Sequence, residues 1–342
     1  MSNNKTLSAS KIKTFQSCSW LYWCKYHLKL PEDSNDGANR GTICHLVFEC
    51  LGNPRHKHHY NKIIKEGSVW KSAALKRLIL YHAKILNVYD LDNLNLINDM
   101  IMNGVKYDFF GKDEGKPTKA LSEKAFDLKI EEDGKKYSIR GFIDKLFLYK
   151  KKSLAIIRDF KTSKKVFSGK DKTDNLQDLM YSLAVKKIYP DFLSRQSEFL
   201  FLKFDLEKDL LGKEGEGVVK MESVSDDELE GFEYYLTEVQ KMVDDFTIED
   251  AEANLAAKQD YPKDGSFGGP LSCGFAKYPN QLKKDGTKMW HCPHKFSYKF
   301  WRLIDKEGNT IKTSLKNDLL PDKDIGESLL EEYYKGCPHW KK

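Results

Sequence analysis

Two aspartates and a lysine within residues 141–161, GFIDKLFLYKKKSLAIIRDFK, have the types and spacing to handle phosphate. Apolar and β-branched side chains dominate residues 139–149, a basic turn follows at 150–153, and residues 154–160 form a second extended run, the pattern of a hairpin. Asp144 lies inside the first run. Asp159 ends the second and Lys161 follows two residues on, so in a strand of period two Asp159 and Lys161 share a face. Two carboxylates and a lysine then converge at one end of the hairpin. Like charges brought together out of water cost several kcal/mol unless something neutralises them, and a hard divalent cation with oxygen ligands does so. Such an ion polarises a phosphodiester and lowers the pKa of a nearby water, while a lysine beside it orients that water or stabilises the developing negative charge. The bland alternative leaves both aspartates on surface turns and Lys161 as one of many lysines. The D-x-K triplet alone does not choose between them.

The neighbouring motifs favour the first reading. Gly141 and Asp144 form G-x-x-D, the second strand ends in D-x-K-T (Asp159, Phe160, Lys161, Thr162), Gln177 and Tyr181 form Q-x-x-x-Y, and Gly41 and His45 form an upstream G-x-x-x-H. In this order, across residues 8–189, the set resembles the RecB-like branch of the PD-(D/E)XK nuclease superfamily. The resemblance implies an α/β fold of restriction-endonuclease type, a central mixed sheet flanked by helices. Residues 1–118 would be the N-terminal helical segment of the nuclease domain, 119–248 its core, and 249–342 a cysteine-containing C-terminal extension. It also implies metal-dependent hydrolysis of DNA, as an exonuclease rather than a site-specific endonuclease, in recombination, repair, CRISPR adaptation or phage DNA metabolism. Mg²⁺ or Mn²⁺ would be held by Asp144, Asp159, the Phe160 carbonyl and His45. Lys161 would position the attacking water, and Gln177 and Tyr181 would hold the strand. A non-catalytic DNA-binding or scaffold protein on the same fold would have lost a ligand or the lysine, and all are present. A nuclease acting on RNA or branched DNA keeps the same residues.

Composition agrees with a nucleic-acid enzyme without demanding one. The chain has 342 residues, 40% hydrophobic and 32% charged, with a formal charge of +6, which suits a polyanionic partner or simply a solvated lysine-rich surface. The first residues are polar with no apolar core, and no apolar run reaches membrane-spanning length, so a cytoplasmic protein without a membrane partner is expected. No P-loop G-x-x-x-x-G-K-[ST] is visible, so long duplex would have to be opened by a helicase or recombination partner, or the chain acts on single strands and exposed ends.

Periodicity and punctuation supply the elements that position the site. Ser8 or Ser10 caps a helix from Lys11 with Ile12, Phe15 and Cys18 on one face. Trp20, Tyr22, Trp23 and Tyr26 read as core, with base stacking the alternative. A turn-rich loop at 31–39 leads to a helix at 40–51 carrying His45. Residues 55–60, RHKHHY, read as an exposed basic loop, and helices at 69–86 and 91–110 wall the sheet. Residues 123–131 and 135–149 alternate and meet at Asp133-Gly134, a type I′ hairpin signal, with Glu123 starting the first strand. After a lysine-rich loop, Asp174 caps a helix to Ile188 on which Gln177 and Tyr181 share a face. A strand at 198–204 returns parallel, a helix at 225–246 follows, and the remainder reads as irregular.

Seven cysteines in a chain without an export signal argue against a disulfide framework. In several RecB-like nucleases an N-terminal cysteine and three C-terminal ones hold a [4Fe–4S] cluster. Cys18, Cys273, Cys292 and Cys337 match in number and position, and Cys292-Pro293 and Cys337-Pro338 match the Cys-Pro found in such sites. The spacing departs from that pattern, which groups the last three within a dozen or so residues. Here Cys292 is 19 residues after Cys273, and Cys337 is 45 after Cys292. His291, His294 and His339 lie beside two of them, so a cluster, a mixed Cys/His zinc site and unrelated thiols all stay open. Residues 290–301, WHCPHKFSYKFW, also read as an aromatic, basic surface for single-stranded DNA.

Overall fold

The computed structural model describes residues 5–172, 174–253, 273–338 and 340. The chain divides into two compact units, Ser34–Thr237 and the combination of Met1–Asp33 with Glu238–Lys342. Two helices open the chain, α1 (Ala9–Ser17) and α2 (Ser19–Tyr22), and Ser8 Oγ accepts the Lys11 amide hydrogen as the cap of α1.

In the unit Ser34–Thr237, Asn35 caps α3 (Asp36–Gly52), which begins four residues before the expected start because the cap lies inside the turn-rich loop. The RHKHHY segment is not a loop. Asn53 caps a short 3₁₀ turn, Pro54–His56, and α4 (Lys57–Glu66) starts at once, ending at Gly67 in the left-handed region. Two of its histidines have structural partners instead of forming a basic patch: His56 Nδ1 lies 2.9 Å from the Cys50 carbonyl, and His59 Nδ1 lies 3.0 Å from Ser72 Oγ. Helices α5 (Ala73–Ile85) and α6 (Leu91–Lys106) follow, capped by Ser72 and Asp90.

The sheet runs β1 (Lys119–Glu132), β2 (Lys135–Tyr149), β3 (Leu154–Lys161), then α7 (Leu176–Ile188), β4 (Ser194–Phe201) and β5 (Val218–Lys220). Its order is β1-β2-β3-β4-β5, antiparallel except for the β3–β4 pair, which α7 makes parallel by crossing over. Asp133 and Gly134 both have positive φ, the type I′ turn expected of Asp-Gly. The cap of α7 is Asn175, not Asp174. On one face Phe160 and Leu200 join Ile43, Val47 and Phe48 of α3 and Ile97 and Ile101 of α6 in one core; on the other, Tyr181 of α7 packs edge-on to Phe126 of β1. Helices thus flank a five-stranded mixed sheet.

Helix α8 (Asp226–Asp244) ends the first unit and opens the C-terminal part of the second, where α9 (Ile248–Ala253) follows. The far end of the chain is not irregular. Strands β6 (Tyr298–Ile304), β7 (Thr310–Ser314) and β8 (Ser328–Tyr334) form an antiparallel sheet of order β7-β6-β8. Arg302 clamps Glu332 across it, with Nε at 2.8 Å and Nη2 at 3.1 Å from the two carboxylate oxygens. Residues 298–301 of the aromatic segment are therefore strand, with Phe300 in the core and Trp290 left exposed. No helix among the described residues is long and apolar enough to cross a membrane.

Candidate active site

Register brings three acids into one row. Ser122 pairs with Lys145 and Lys124 with Ile143, so Glu123 stands opposite Asp144. The β2–β3 ladder begins at Lys145 and Arg158, and one step beyond it Asp144 faces Asp159. Carboxylates from three adjacent strands therefore lie side by side, on the scale of about 5 Å between neighbouring Cβ atoms. Glu123 lies within β1, not at its start, and has φ +47, an uncommon setting for a side-chain-bearing residue and one that clusters at functional sites.

Helix α3 brings His45 to this row. Its Nδ1 is 3.2 Å from Asp144 Oδ1 and 3.9 Å from Glu123 Oε1, and its Nε2 is 3.2 Å from the Phe160 carbonyl oxygen. The helix can come this close because Gly41, one turn earlier, faces Thr162: a Cβ there would sit 2.9 Å from Thr162 Oγ1. Gly141 has a similar reason, since its Cβ would meet the Phe126 ring at 2.6 Å. The glycines of both motifs are thus packing requirements of the site. Phe48 stacks on Phe160 at 4.1 Å and locks the same junction.

Lys161 and Asp159 are held as a pair. Lys161 Nζ lies 2.6 Å from Asp159 Oδ2 and donates to Gln177 Oε1 at 2.6 Å, while Gln177 Nε2 donates to Asp159 Oδ1 at 2.6 Å and reaches the Tyr181 hydroxyl at 2.7 Å. Gln177 and Tyr181 therefore face inward, and Tyr181 is buried. Asp144 Oδ2 accepts the Phe160 amide hydrogen at 2.7 Å. Burial, reinforced by the charge of Asp144, pushes the Asp159 carboxyl up to about 6 against the pull of Lys161. Burial would lower His45, but its contacts with Asp144 and Glu123 outweigh that and raise it to about 10. The row is therefore short of positive charge even with Lys161 and His45 in place.

His45, Glu123 and Asp144 offer ligand atoms within 4.8 Å of one another. A nitrogen and carboxylate oxygens with a charge deficit fit a hard divalent ion. His45 and Glu123 border an open cleft of about 460 Å³ also lined by Gly41, Thr42, Leu46 and Glu49. The sequence placed Glu123 only at the start of the first strand; the signal that brings it opposite Asp144 is the register of the Asp-Gly hairpin.

In the other unit, Cys18, Cys273, Cys292 and Cys337 line one small, largely apolar pocket with Trp20, His294, Lys295 and Trp340. The long gaps between them are excursions closed at the base. The first, between Cys273 and Cys292, is shut by the Gly274–His291 bridge and by the Cys292 amide donating to the Cys273 carbonyl at 3.1 Å. The second is the β6–β8 sheet, whose central strand β6 pairs with β8, Tyr298 opposite Tyr334, and returns the chain so that the Cys337 amide donates to the Lys295 carbonyl at 3.2 Å. Burial pushes the Cys292 thiol up to about 12 and raises Cys273, whose neighbours Cys18 and Cys337 add to the rise. Nearby histidines are otherwise engaged: His294 Nδ1 lies 2.7 Å from the Tyr298 hydroxyl and its Nε2 3.4 Å from Glu32, and His291 Nδ1 lies 2.9 Å from the Cys292 carbonyl. His339 lies outside the described residues. Among the described residues no three cysteine or histidine ligand atoms come within 4.8 Å of each other, as a single zinc with ligands at about 2.3 Å requires. The four thiols line one largely apolar pocket in this unit.

A five-stranded mixed sheet between helices, with acids, a lysine and a histidine gathered at one edge, is the architecture of a metal-dependent nuclease, and the chain belongs to the PD-(D/E)XK nuclease superfamily, whose family model matches residues 6–275. It is accordingly a nuclease, a hydrolase of phosphodiester bonds in nucleic acid, of a superfamily that uses divalent metals. Among solved structures it is similar to a candidate exonuclease from Eubacterium rectale, at 9% identity and TM-score 0.44, covering 75% of this chain and 85% of that one. The protein SSO0001 is also similar, at 14% identity and TM-score 0.24, covering 54% of this chain and 70% of that one. No curated protein matches the sequence.

Proposed function

We propose that the chain is an Mg²⁺- or Mn²⁺-dependent DNA exonuclease of the RecB-like branch, acting on single strands or exposed ends. The observation that carries this reading is the row Glu123, Asp144, Asp159 with His45 on one side and the Gln177-braced Lys161 on the other. The preference for DNA and for ends rests on the ordered motifs it shares with that branch. Asp144 and Asp159, with His45, Glu123 and the Phe160 carbonyl, would hold the ion, which supplies Lewis acidity toward the phosphodiester and toward water. Lys161 donates to the attacking water or to the oxygen that gains charge, from an ammonium fixed by Asp159 and Gln177. Gln177 acts by positioning Lys161 and Asp159, and Tyr181 closes the base of that bridge. The four cysteines would hold a [4Fe–4S] cluster.

Hydrolysis of 5′- and 3′-labelled single- and double-stranded DNA, with RNA alongside, in Mg²⁺, Mn²⁺ or EDTA tests the proposal. Metal-dependent, end-initiated release of nucleotides from DNA is expected. Binding without cleavage under every metal condition would replace the enzyme with a scaffold.

Metal binding should also release protons. His45 carries a proton at pH 7 in the metal-free site, its pKa being near 10, and the proton between Nδ1 and the carboxylates must leave when the ion takes its place. Calorimetry of Mn²⁺ binding in buffers of different ionisation enthalpy is expected to show about one proton released at pH 7, lost in His45→Gln. Binding with no proton release would remove His45 from the ligand set.

A further inference from the structure

A groove of about 470 Å³ lies between the C-terminal end of α3, the start of α4, the 106–117 connector and Ala120 of β1. The chemistry described above does not use it. Its aromatic wall is Tyr60, Phe109 and Phe110, with Tyr60 5.6 Å from Phe109 and 4.7 Å from Phe110. Around that wall stand Lys57, Lys112 and Lys116, all exposed and none in an ion pair among the described residues. The acid lining the groove, Asp108, is already engaged by the Lys112 amide at 2.5 Å and by Arg158 at 3.7 Å.

Behind the wall lies Lys145. It is 3% exposed, its Nζ sits 3.5 Å from the Phe109 ring centroid, and among the described residues it has neither an ion pair nor a hydrogen bond. A Cβ on Gly52 would collide with Ser122 Oγ and meet that Nζ at 3.2 Å, so Gly52, which lines the groove, packs directly against Ser122 and the amine. Charging a buried amine without a counter-charge is costly, and phosphates held along the neighbouring groove lower that cost.

The groove has a fixed relation to the metal-binding residues. Gly52 follows His45 by seven residues, two turns of α3, which returns it to the same face about 10 Å along the axis. Ala120 precedes Glu123 by three residues, about 10 Å along β1. Two separate elements measure the same span. A stacked strand advances about 3.4 Å per nucleotide, so the groove begins about three nucleotides from the reacting phosphate.

We infer that this groove is a single-strand subsite of the nuclease, with the lysines on phosphates and Tyr60 and Phe110 stacked on an unpaired base. A duplex keeps its base faces inside and offers the aromatic wall nothing. The inference takes its ligand from the nuclease reading, and its test separates the two.

Binding of a fluorescein-labelled oligothymidylate of about twelve nucleotides, and of the same strand in duplex, is measured by anisotropy in EDTA for the full chain and for Lys112→Ala/Lys116→Ala. Single-strand affinity is expected to fall about tenfold and the log–log salt slope to become shallower by about 1.4. Duplex binding, and hydrolysis of a dinucleotide too short to reach the groove, should match wild type. Unchanged single-strand affinity and slope, or an equal loss for duplex, would overturn the subsite. Loss of single-strand affinity in a protein that cleaves nothing would keep the groove and remove the nuclease reading. A variant that cleaves and binds as wild type does the reverse.

Discussion

Asp159→Asn is expected to abolish hydrolysis, by about a thousandfold or more, while making the metal-free protein more stable at pH 8. The loss follows from removing a carboxylate of the acidic row and the partner that fixes Lys161 Nζ at 2.6 Å; single electrostatic contributions of this kind are worth about 10²–10³ in rate. The gain follows from burial. Asp159 has a folded-state pKa near 6, above the value of about 3.9 in an unfolded chain, so its protonated form favours the fold and its charge opposes it. The penalty is absent below about pH 4 and complete above about pH 6, and asparagine escapes it by about 1–3 kcal/mol. Denaturation in EDTA at pH 4 and pH 8, with single-turnover hydrolysis, checks both halves. Lys161→Met should lose activity to a similar degree but lose stability at pH 8, because it leaves Asp159 less compensated. An asparagine variant that is active within tenfold of wild type, or less stable than it at pH 8, would contradict this account.

The second large effect concerns the cysteine pocket. Cys292→Ser should remove the iron and visible absorbance expected of the anaerobically purified protein and lower its melting temperature by roughly 10 °C or more, because ligand binding free energy is folding free energy where the site forms only in the folded state. Cys50→Ser, on α3 and remote in sequence from the pocket residues, serves as the control and should keep the iron. Iron and sulfide analysis with thermal melts decides the matter. Protein that carries neither iron nor colour when wild type is purified without oxygen would leave the four thiols without a cluster.

The hairpin that carries Asp144 and Asp159 was legible because two apolar, β-branched runs and the basic turn between them are local signals, and so was the placement of His45 on a helix and of Gln177 and Tyr181 on another. Glu123 was less legible. Its position opposite Asp144 depends on register, and its positive φ interrupts the ladder in a way no propensity announces. The inward turn of Gln177 also depends on tertiary contacts, since a polar side chain on a helix reads equally well as a substrate contact. RHKHHY looked like a loop because Pro54 and clustered histidines mask a capped helix start. The terminal sheet escaped because β6, β7 and β8 are short, and the pairing of Tyr298 with Tyr334 spans 36 residues (334 − 298).

The same closed excursions have a consequence for how the protein is made. Cys18 leaves the ribosome 319 residues before Cys337 (337 − 18), a delay of roughly 15–60 s at 5–20 residues per second. The unit Ser34–Thr237, which lies wholly between them in sequence, is complete well before the last thiol appears. A chain cut short anywhere after Thr237 but before Cys337 therefore has its sheet and its acidic row but never all four thiols.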